Sequence, residues 1–234
     1  MKKIGLIGAM DSEIAHYLSE MESTQTETVY GINFHHGYLW NTPVVVCKSG
    51  VGKVNAAVCT QTLIDRFQVN QIIFTGVAGA LHPDLDVGDI VISTECQYHD
   101  IDASSVGFPK GTIPFQETSI FPADRQLVEL AVEAGKKMDG IKVLTGKILS
   151  GDQFISSVET GKALYEQMNG ACVEMEGAAV AHVAFLAGIP YVVIRSMSDR
   201  ADHSAHVNFY EFEKMAAERS CLIVRHMLNR LSGK

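Results

Sequence analysis

Tyr191-Val192-Val193-Ile194-Arg195-Ser196-Met197-Ser198-Asp199 opens as an unbroken apolar run and closes on polar residues, the last of them acidic. Its first four residues include Val192, Val193 and Ile194, all β-branched, with no polar residue interleaved. That is the pattern of a strand buried on both faces, as in a mainly parallel sheet. Side chains at the carboxyl end of such a strand stand where α/β enzymes keep their reactive groups. Arg195, Ser198 and Asp199 are therefore candidates for chemistry. The plainer alternative for Asp199 is a helix cap or an ion pair with Arg195.

Five other runs have the same character: Lys3–Ile7, Val44–Lys48, Ile72–Thr75, Asp89–Ser93 and Lys147–Ser150. Segments with helical spacing separate several of them, at Asp11–Met21, Lys53–Phe67, Arg125–Lys137 and Glu176–Ala187. Gly188 and Pro190 stop the last of these. A final helix is expected from Asn208, with Glu211 three places on completing a capping box. Phe212, Met215, Ala216, Ile223, Met227 and Leu231 then face inward. The alternation predicts one α/β domain over residues 1–234, with a central mixed, mainly parallel sheet flanked by helices. There is no linker, charge block or internal repeat. Tyr98–Pro122 carries too many Gly, Pro and Asp residues for a regular element, and a loop of that length is usually functional.

The net charge of −8 gives no general attraction to nucleic acid or anionic lipid, and no partner of either kind is expected. No stretch approaches the ~20 apolar residues of a membrane span. Five scattered cysteines without a C-x-x-C pair read as small buried hydrophobes in a reducing compartment, and a cytoplasmic protein is the expectation. His203-x-x-His206 lacks a third ligand at suitable spacing, so no metal is assigned.

Three further segments bear on chemistry. Gly5-Leu6-Ile7-Gly8 lies between a strand and a helix but lacks the full dinucleotide fingerprint, leaving close packing as the alternative. Thr75-Gly76-Val77-Ala78-Gly79-Ala80 is expected as a glycine-rich turn after the strand Ile72–Phe74, where backbone can approach a ligand. Val173-Glu174-Met175-Glu176-Gly177 places two acids at a strand-to-helix junction of small and apolar residues. A favourable helix-dipole interaction accounts for one acid only. Glu13, alone, is a first-turn surface glutamate; it gains meaning if it meets Glu176 and Asp199 in one cleft.

Taken in order, these segments form a set. Gly8-Ala9-Met10 with Glu13, Lys48-Ser49-Gly50-Val51-Gly52-Lys53, Thr75–Gly79, Val87-Gly88-Asp89-Ile90-Val91, Ser150-Gly151-Asp152-Gln153-Phe154-Ile155, Val173–Glu176 and Arg195-x-x-Ser198-Asp199-x-x-Asp202 follow one another. The chain thereby resembles the bacterial 5′-methylthioadenosine/S-adenosylhomocysteine nucleosidases, within the purine nucleoside phosphorylase and uridine phosphorylase superfamily, from Lys3 to about Leu231. The resemblance implies a nucleoside phosphorylase-like fold and hydrolysis of an N-glycosidic bond without a cofactor.

It also implies roles. Asp199, held by Ser198, delivers a proton to adenine N7, for which desolvation must keep it protonated. Glu13 activates water. Glu176 accepts the ribose hydroxyls and favours the cationic ring. Met175 packs on the ribose and Phe154 stacks on adenine, with Ile155 backbone groups at its edge. Met10, Val51, Val77, Ala78, Gly79, Arg195 and Phe209 complete the substrate-binding set. Phe108 and Pro114 are implied to reach a neighbouring subunit's pocket, hence a homodimer. The apolar Val106, Phe108, Ile113 and Phe115 in an irregular loop point the same way. Val77 stands where several relatives carry Ser, and Val106 is smaller than an aromatic seen in relatives. Competing readings are a nucleoside phosphorylase, a futalosine or AMP hydrolase, and a non-catalytic nucleoside-binding protein. The first wants arginines at the glycine-rich turns, which Gly5–Glu13 and Lys48–Lys53 lack.

Overall fold

Strand β5 (Gln71–Ala80) organises the molecule, because its neighbours change along its length. One edge pairs in parallel with β10 (Tyr191–Asp199) throughout. The other edge pairs in parallel with β1 (Ile4–Gly8) over residues 71–74, then antiparallel with β9 (Gly170–Glu174) at Gly79 and Ala80. β1 and β9 diverge between those points, and the cleft opens there. The structure, a computed structural model, describes residues 2–201 and 205–232, the side chains of 205–211, 213 and 214 excepted.

From β1 the sheet continues through β4 (Thr42–Lys48), β3 (Ile32–Leu39) and β2 (Glu22–Val29). From β10 it continues through β6 (Ile90–Tyr98) and β8 (Val143–Ser150) to β9, which returns to β5, so five strands close on themselves. The short β7 (Ile120–Pro122) pairs with β6. The sheet is mixed. Parallel ladders join β4, β1, β5 and β10 and, separately, β6, β8 and β9; antiparallel ones form the β2–β3–β4 meander and link β10 to β6 and β5 to β9.

Helices cover both faces, as the apolar runs require. Ile72 and Phe74 pack with Ala56, Cys59 and Leu63 of α2 (Lys53–Asp65) and Ala178–Ala184 of α5 (Gly177–Ala187). Ile73, on the other face, packs with Ile14 and Tyr17 of α1 (Asp11–Glu20), Leu127 and Ala131 of α3 (Arg125–Gly135), and Ile223 and Met227 of α6 (Ala205–Leu231). A smaller cluster holds Leu164 of α4 (Val158–Met168) against Leu149 and Val173. All five cysteines are free and buried. Among the described residues no helix is long and apolar enough to cross a membrane.

Several boundaries differ from expectation, among them β6, which runs on to Tyr98, and β8, which begins at Val143. Thr75–Ala80 is not a turn: β5 runs on to Ala80, because its glycines remove side chains while the backbone keeps its ladder with β10. α6 starts at Ala205, so Asn208 lies inside the helix rather than capping it. β2, β3 and α4 are additional elements, and so is β7, at the end of the Tyr98–Pro122 stretch expected to be irregular. β2 is an exposed polar edge, Glu-Ser-Thr-Gln-Thr-Glu-Thr-Val, whose charges discourage pairing with another chain.

Candidate active site

A cavity of about 510 Å³ sits where β1 and β9 part from each other along β5. Met10, Glu13, Val51, Val77, Ala78, Gly79, Phe154, Ile155, Met175, Glu176, Ser198 and Asp199 all line it. These twelve, all expected from the sequence, come from six separate segments of the chain. The wall also contains Ala9, Gln153, Val173 and Glu174, which sequence reasoning did not assign to binding. Phe108 and Pro114 are not part of this wall. The side chain of Phe209 lies outside the described residues, as do His203 and the side chain of His206.

Glu13 is buried rather than a surface residue. α1 begins immediately after β1, and from its first turn the Glu13 carboxylate accepts backbone N–H groups of Ala9 at 2.5 Å, Met10 at 3.1 Å and Val77 at 3.1 Å. Burial raises its pKa above the ordinary carboxylate value, against the lowering effects of Arg195 and these three donors. A methyl at Gly76 would stand 2.6 Å from both Glu13 Oε1 and Arg195 Nη1, and one at Gly79 would stand 2.8 Å from Asp199 Oδ1. Glycine at these positions therefore lets an acid lie directly over the strand.

Asp199 ends β10 and is buried. Its Oδ2 accepts the Ser198 hydroxyl at 2.8 Å, and its Oδ1 accepts the Ala201 N–H at 2.8 Å.

The acid pair at the β9–α5 junction divides its work. Glu176 occupies the cap position of α5 but does not cap it; its Oε1 accepts the N–H of Gly52 at 2.7 Å, from the turn before α2. Capping falls to Glu174, which accepts Glu176 N–H at 3.1 Å and Gly177 N–H at 2.8 Å, as well as the Ser150 hydroxyl. Ser150 Oγ in turn accepts the N–H of Ala178 at 2.7 Å. The signal available in the sequence was the pair of acids itself.

Arg195 is buried behind the cavity wall rather than lining it, a correction to its place in the substrate-binding set. Its Nη2 meets Glu174 Oε2 at 2.6 Å, and its guanidinium lies 3.9 Å from the centre of the Phe74 ring. Glu13, Glu174 and Glu176 thus surround one buried cation. Burial first, and Glu174 next, push Glu176 up to about 8. The site therefore favours a proton on Glu176 near neutral pH. Burial works against the charge on Arg195, but Glu174, Glu13 and Glu176 outweigh it and hold the guanidinium above its usual value.

In this arrangement buried acids face an apolar cavity whose one aromatic wall residue, among the described side chains, is Phe154. Such a site can move protons at both ends of a polar bond. Among the described residues no group of His, Cys, Asp and Glu is placed to hold a metal.

The chain belongs to the phosphorylase superfamily, whose family model matches residues 3–229. Within it, the chain is 41% identical over 230 residues to the 5′-methylthioadenosine/S-adenosylhomocysteine nucleosidase of Shewanella loihica, covering 98% of this chain and 100% of that one. The crystal structure of the nucleosidase of that name from Neisseria meningitidis, in complex with methylthio-immucillin-A, superposes with a TM-score of 0.94 at 36% identity, covering 98% of this chain and 100% of that one. The futalosine hydrolase of Helicobacter pylori superposes with a TM-score of 0.93 at 34% identity, covering 98% of each chain.

Proposed function

We propose that this chain hydrolyses the N-glycosidic bond of 5′-methylthioadenosine and S-adenosylhomocysteine, releasing adenine and the 5-thioribose product. The observation that carries this reading is the convergence of Glu13, Glu176 and Asp199 on one apolar cavity from three distant segments. The names of the similar proteins support it.

Breaking the bond between C1′ and N9 leaves negative charge on adenine and positive charge on the ribosyl ring. Asp199 supplies a proton to N7, with Ser198 holding the carboxyl group in place. Glu13, fixed by three backbone donors, orients the attacking water and takes its proton. Glu176 accepts the ribose hydroxyls and, once ionised, favours the cationic ring. Phe154 and Ile155 take the base, while Met175, Met10 and Val51 pack around the sugar. Arg195 serves through Glu174 and the charge it sets around Glu13 and Glu176. Two acids working at one glycosidic carbon parallel the inverting glycosidases.

The protein acts as a homodimer in this reading. Val106 is 71% exposed and Phe115 94% exposed, and Phe115 meets Phe108 edge-on at 5.3 Å between ring centres. Apolar rings held in this position suit a neighbouring subunit's alkylthio pocket, completed by Phe108 and Pro114. A cytoplasmic location accords with five free cysteines.

The test is release of free adenine by the purified protein, with and without phosphate. Equal rates and no ribose-1-phosphate analogue are expected. A phosphate requirement defeats the hydrolase reading. A panel containing futalosine and AMP settles the 5′ group, with the two thio-nucleosides expected to be preferred.

A further inference from the structure

Lys53, Asp100 and Asp152 form an ion-paired knot beside the cavity but outside its wall. Lys53 Nζ meets Asp100 Oδ2 at 2.5 Å and Asp152 Oδ2 at 3.6 Å. The backbone joins in: Lys53 N–H donates to Asp152 Oδ1 at 2.8 Å, and Asp152 N–H donates to Asp100 Oδ2 at 2.9 Å. Lys53 and Asp100 keep only 24% and 13% of their side chains exposed, so this is not an ordinary surface pair. Burial opposes the charge on Asp100, yet Lys53 and the Asp152 N–H hold its carboxyl below the usual range.

What the knot joins gives it meaning. Lys53 follows Gly52, whose N–H holds Glu176, and Val51, which lines the cavity. Asp152 precedes Gln153, Phe154 and Ile155, three consecutive wall residues. Asp100 stands at the root of the segment leading to Phe108. Both loops that line the site are otherwise irregular chain between elements. Loops of this kind are the least stable parts of a fold and need a specific tie to hold a binding geometry.

We infer that Lys53, Asp100 and Asp152 are positioning residues: they register the Gly52 N–H on Glu176 against the Phe154–Ile155 wall, so that ribose and base are gripped in one geometry. The inference rests on the nucleosidase reading. It gives the ion pairs a role in substrate affinity rather than only in stability.

The experiment compares wild type with Lys53→Met and the double variant Lys53→Met/Asp100→Asn. Adenine release from 5′-methylthioadenosine by the wild type comes first; if that is absent, the nucleosidase reading has failed on its own account. Given wild-type activity, Lys53→Met is expected to raise KM about 5–30-fold, with a smaller change in kcat. The single variant leaves Asp100 charged without its partner, which lowers the melting temperature. The double variant removes that stranded charge and recovers most of the melting temperature, yet its KM stays at least about 5-fold raised. If KM returns to the wild-type value together with the melting temperature, the knot is structural only and the inference falls. It falls equally if neither variant changes KM by about twofold. Should Lys53→Met fail to fold, the double variant alone decides.

Discussion

The backbone N–H of Glu176 donates to the carboxylate of Glu174 at 3.1 Å, so one acid of the pair fixes where the other begins. Glu174 gathers the start of α5 and the guanidinium of Arg195 into a single buried junction. Glu176 is thereby released from capping and can reach Gly52, 124 residues away in sequence.

Glu174→Gln is expected to be costly. The amide keeps the shape but removes the charge that meets Arg195 directly, leaving only Glu13 and Glu176 near the buried guanidinium. Breaking a buried pair in this way costs about 3–5 kcal/mol. For a chain of this length that is a fall in melting temperature on the order of 10 °C. Differential scanning calorimetry checks it; a change within about 2 °C would show that the pair contributes little.

Asp199→Asn tests leaving-group protonation. The amide oxygen can still accept the Ala201 N–H and its NH2 can donate to the Ser198 hydroxyl oxygen, but it has no carboxyl proton to deliver. Turnover should fall by at least about 10²-fold, the low end for a positioned acid, while a non-hydrolysable analogue still binds. If Asp199 were only a turn-stabilising residue, its loss would cost roughly 1 kcal/mol of stability and spare turnover. Near-normal kcat in this variant would sink the mechanism.

These two residues also show what sequence alone can reveal. Asp199 was legible because it ends an apolar strand, and position at a strand's carboxyl end is a local property. Glu174 was visible as half of an acid pair, but its partners, Ser150 and Arg195, come from other strands and required the sheet order. Arg195 misleads for the same reason: Ser198 and Asp199 at the end of its strand face the cavity, while its own side chain turns behind Gly76 towards Glu174. In the sequence Gly76 and Gly79 look like turn residues that end β5 at Thr75. They are the points where Glu13 and Asp199 cross the strand. β2 was missed because an exposed edge strand carries no buried run to detect.

The pH dependence of catalysis should carry the signature of Glu176. In the free protein its pKa lies at about 8, raised by burial and the neighbouring Glu174. The proposed role needs the ionised form. The ratio kcat/KM reports the free enzyme, so its rising limb should extend to about pH 8. In Glu176→Gln the residual activity should lose the part of that limb near pH 8 and keep only the ionisation of Glu13. A profile from about pH 6 to 9.5 that is identical in shape for both proteins would remove Glu176 from this account.

Stability should respond in the opposite sense. Folding raises the Glu176 pKa from its ordinary 4.5 to about 8, so the folded state favours the protonated form. Its contribution is fully present below about pH 4.5 and is lost as pH rises through about 8. Glu176→Gln is neutral throughout and escapes that loss. The variant's melting temperature, relative to wild type, should therefore climb between about pH 5 and 8 and then stay level. A gap that is constant with pH, or that narrows, contradicts the assigned ionisation.

Phe115 offers a way to separate assembly from chemistry. It is 94% exposed and rests edge-on against Phe108, in a segment that does not line its own chain's cavity. Placed at a subunit contact, Phe115→Asp would set a charge against an apolar surface, which an interface core disfavours. Light scattering should then report a monomer where the wild type is a dimer. If the partner's Phe108 and Pro114 close over the 5′ substituent, KM for 5′-methylthioadenosine should rise about tenfold or more, since even one buried methylene is worth 1–3 kcal/mol of discrimination. Affinity for free adenine, which has no 5′ group, should stay near the wild-type value because Phe154 and Ile155 belong to the chain's own wall. A wild-type protein that is fully active as a monomer ends this proposal. So does a monomeric variant whose KM is unchanged, because the loop would then lie far from the substrate.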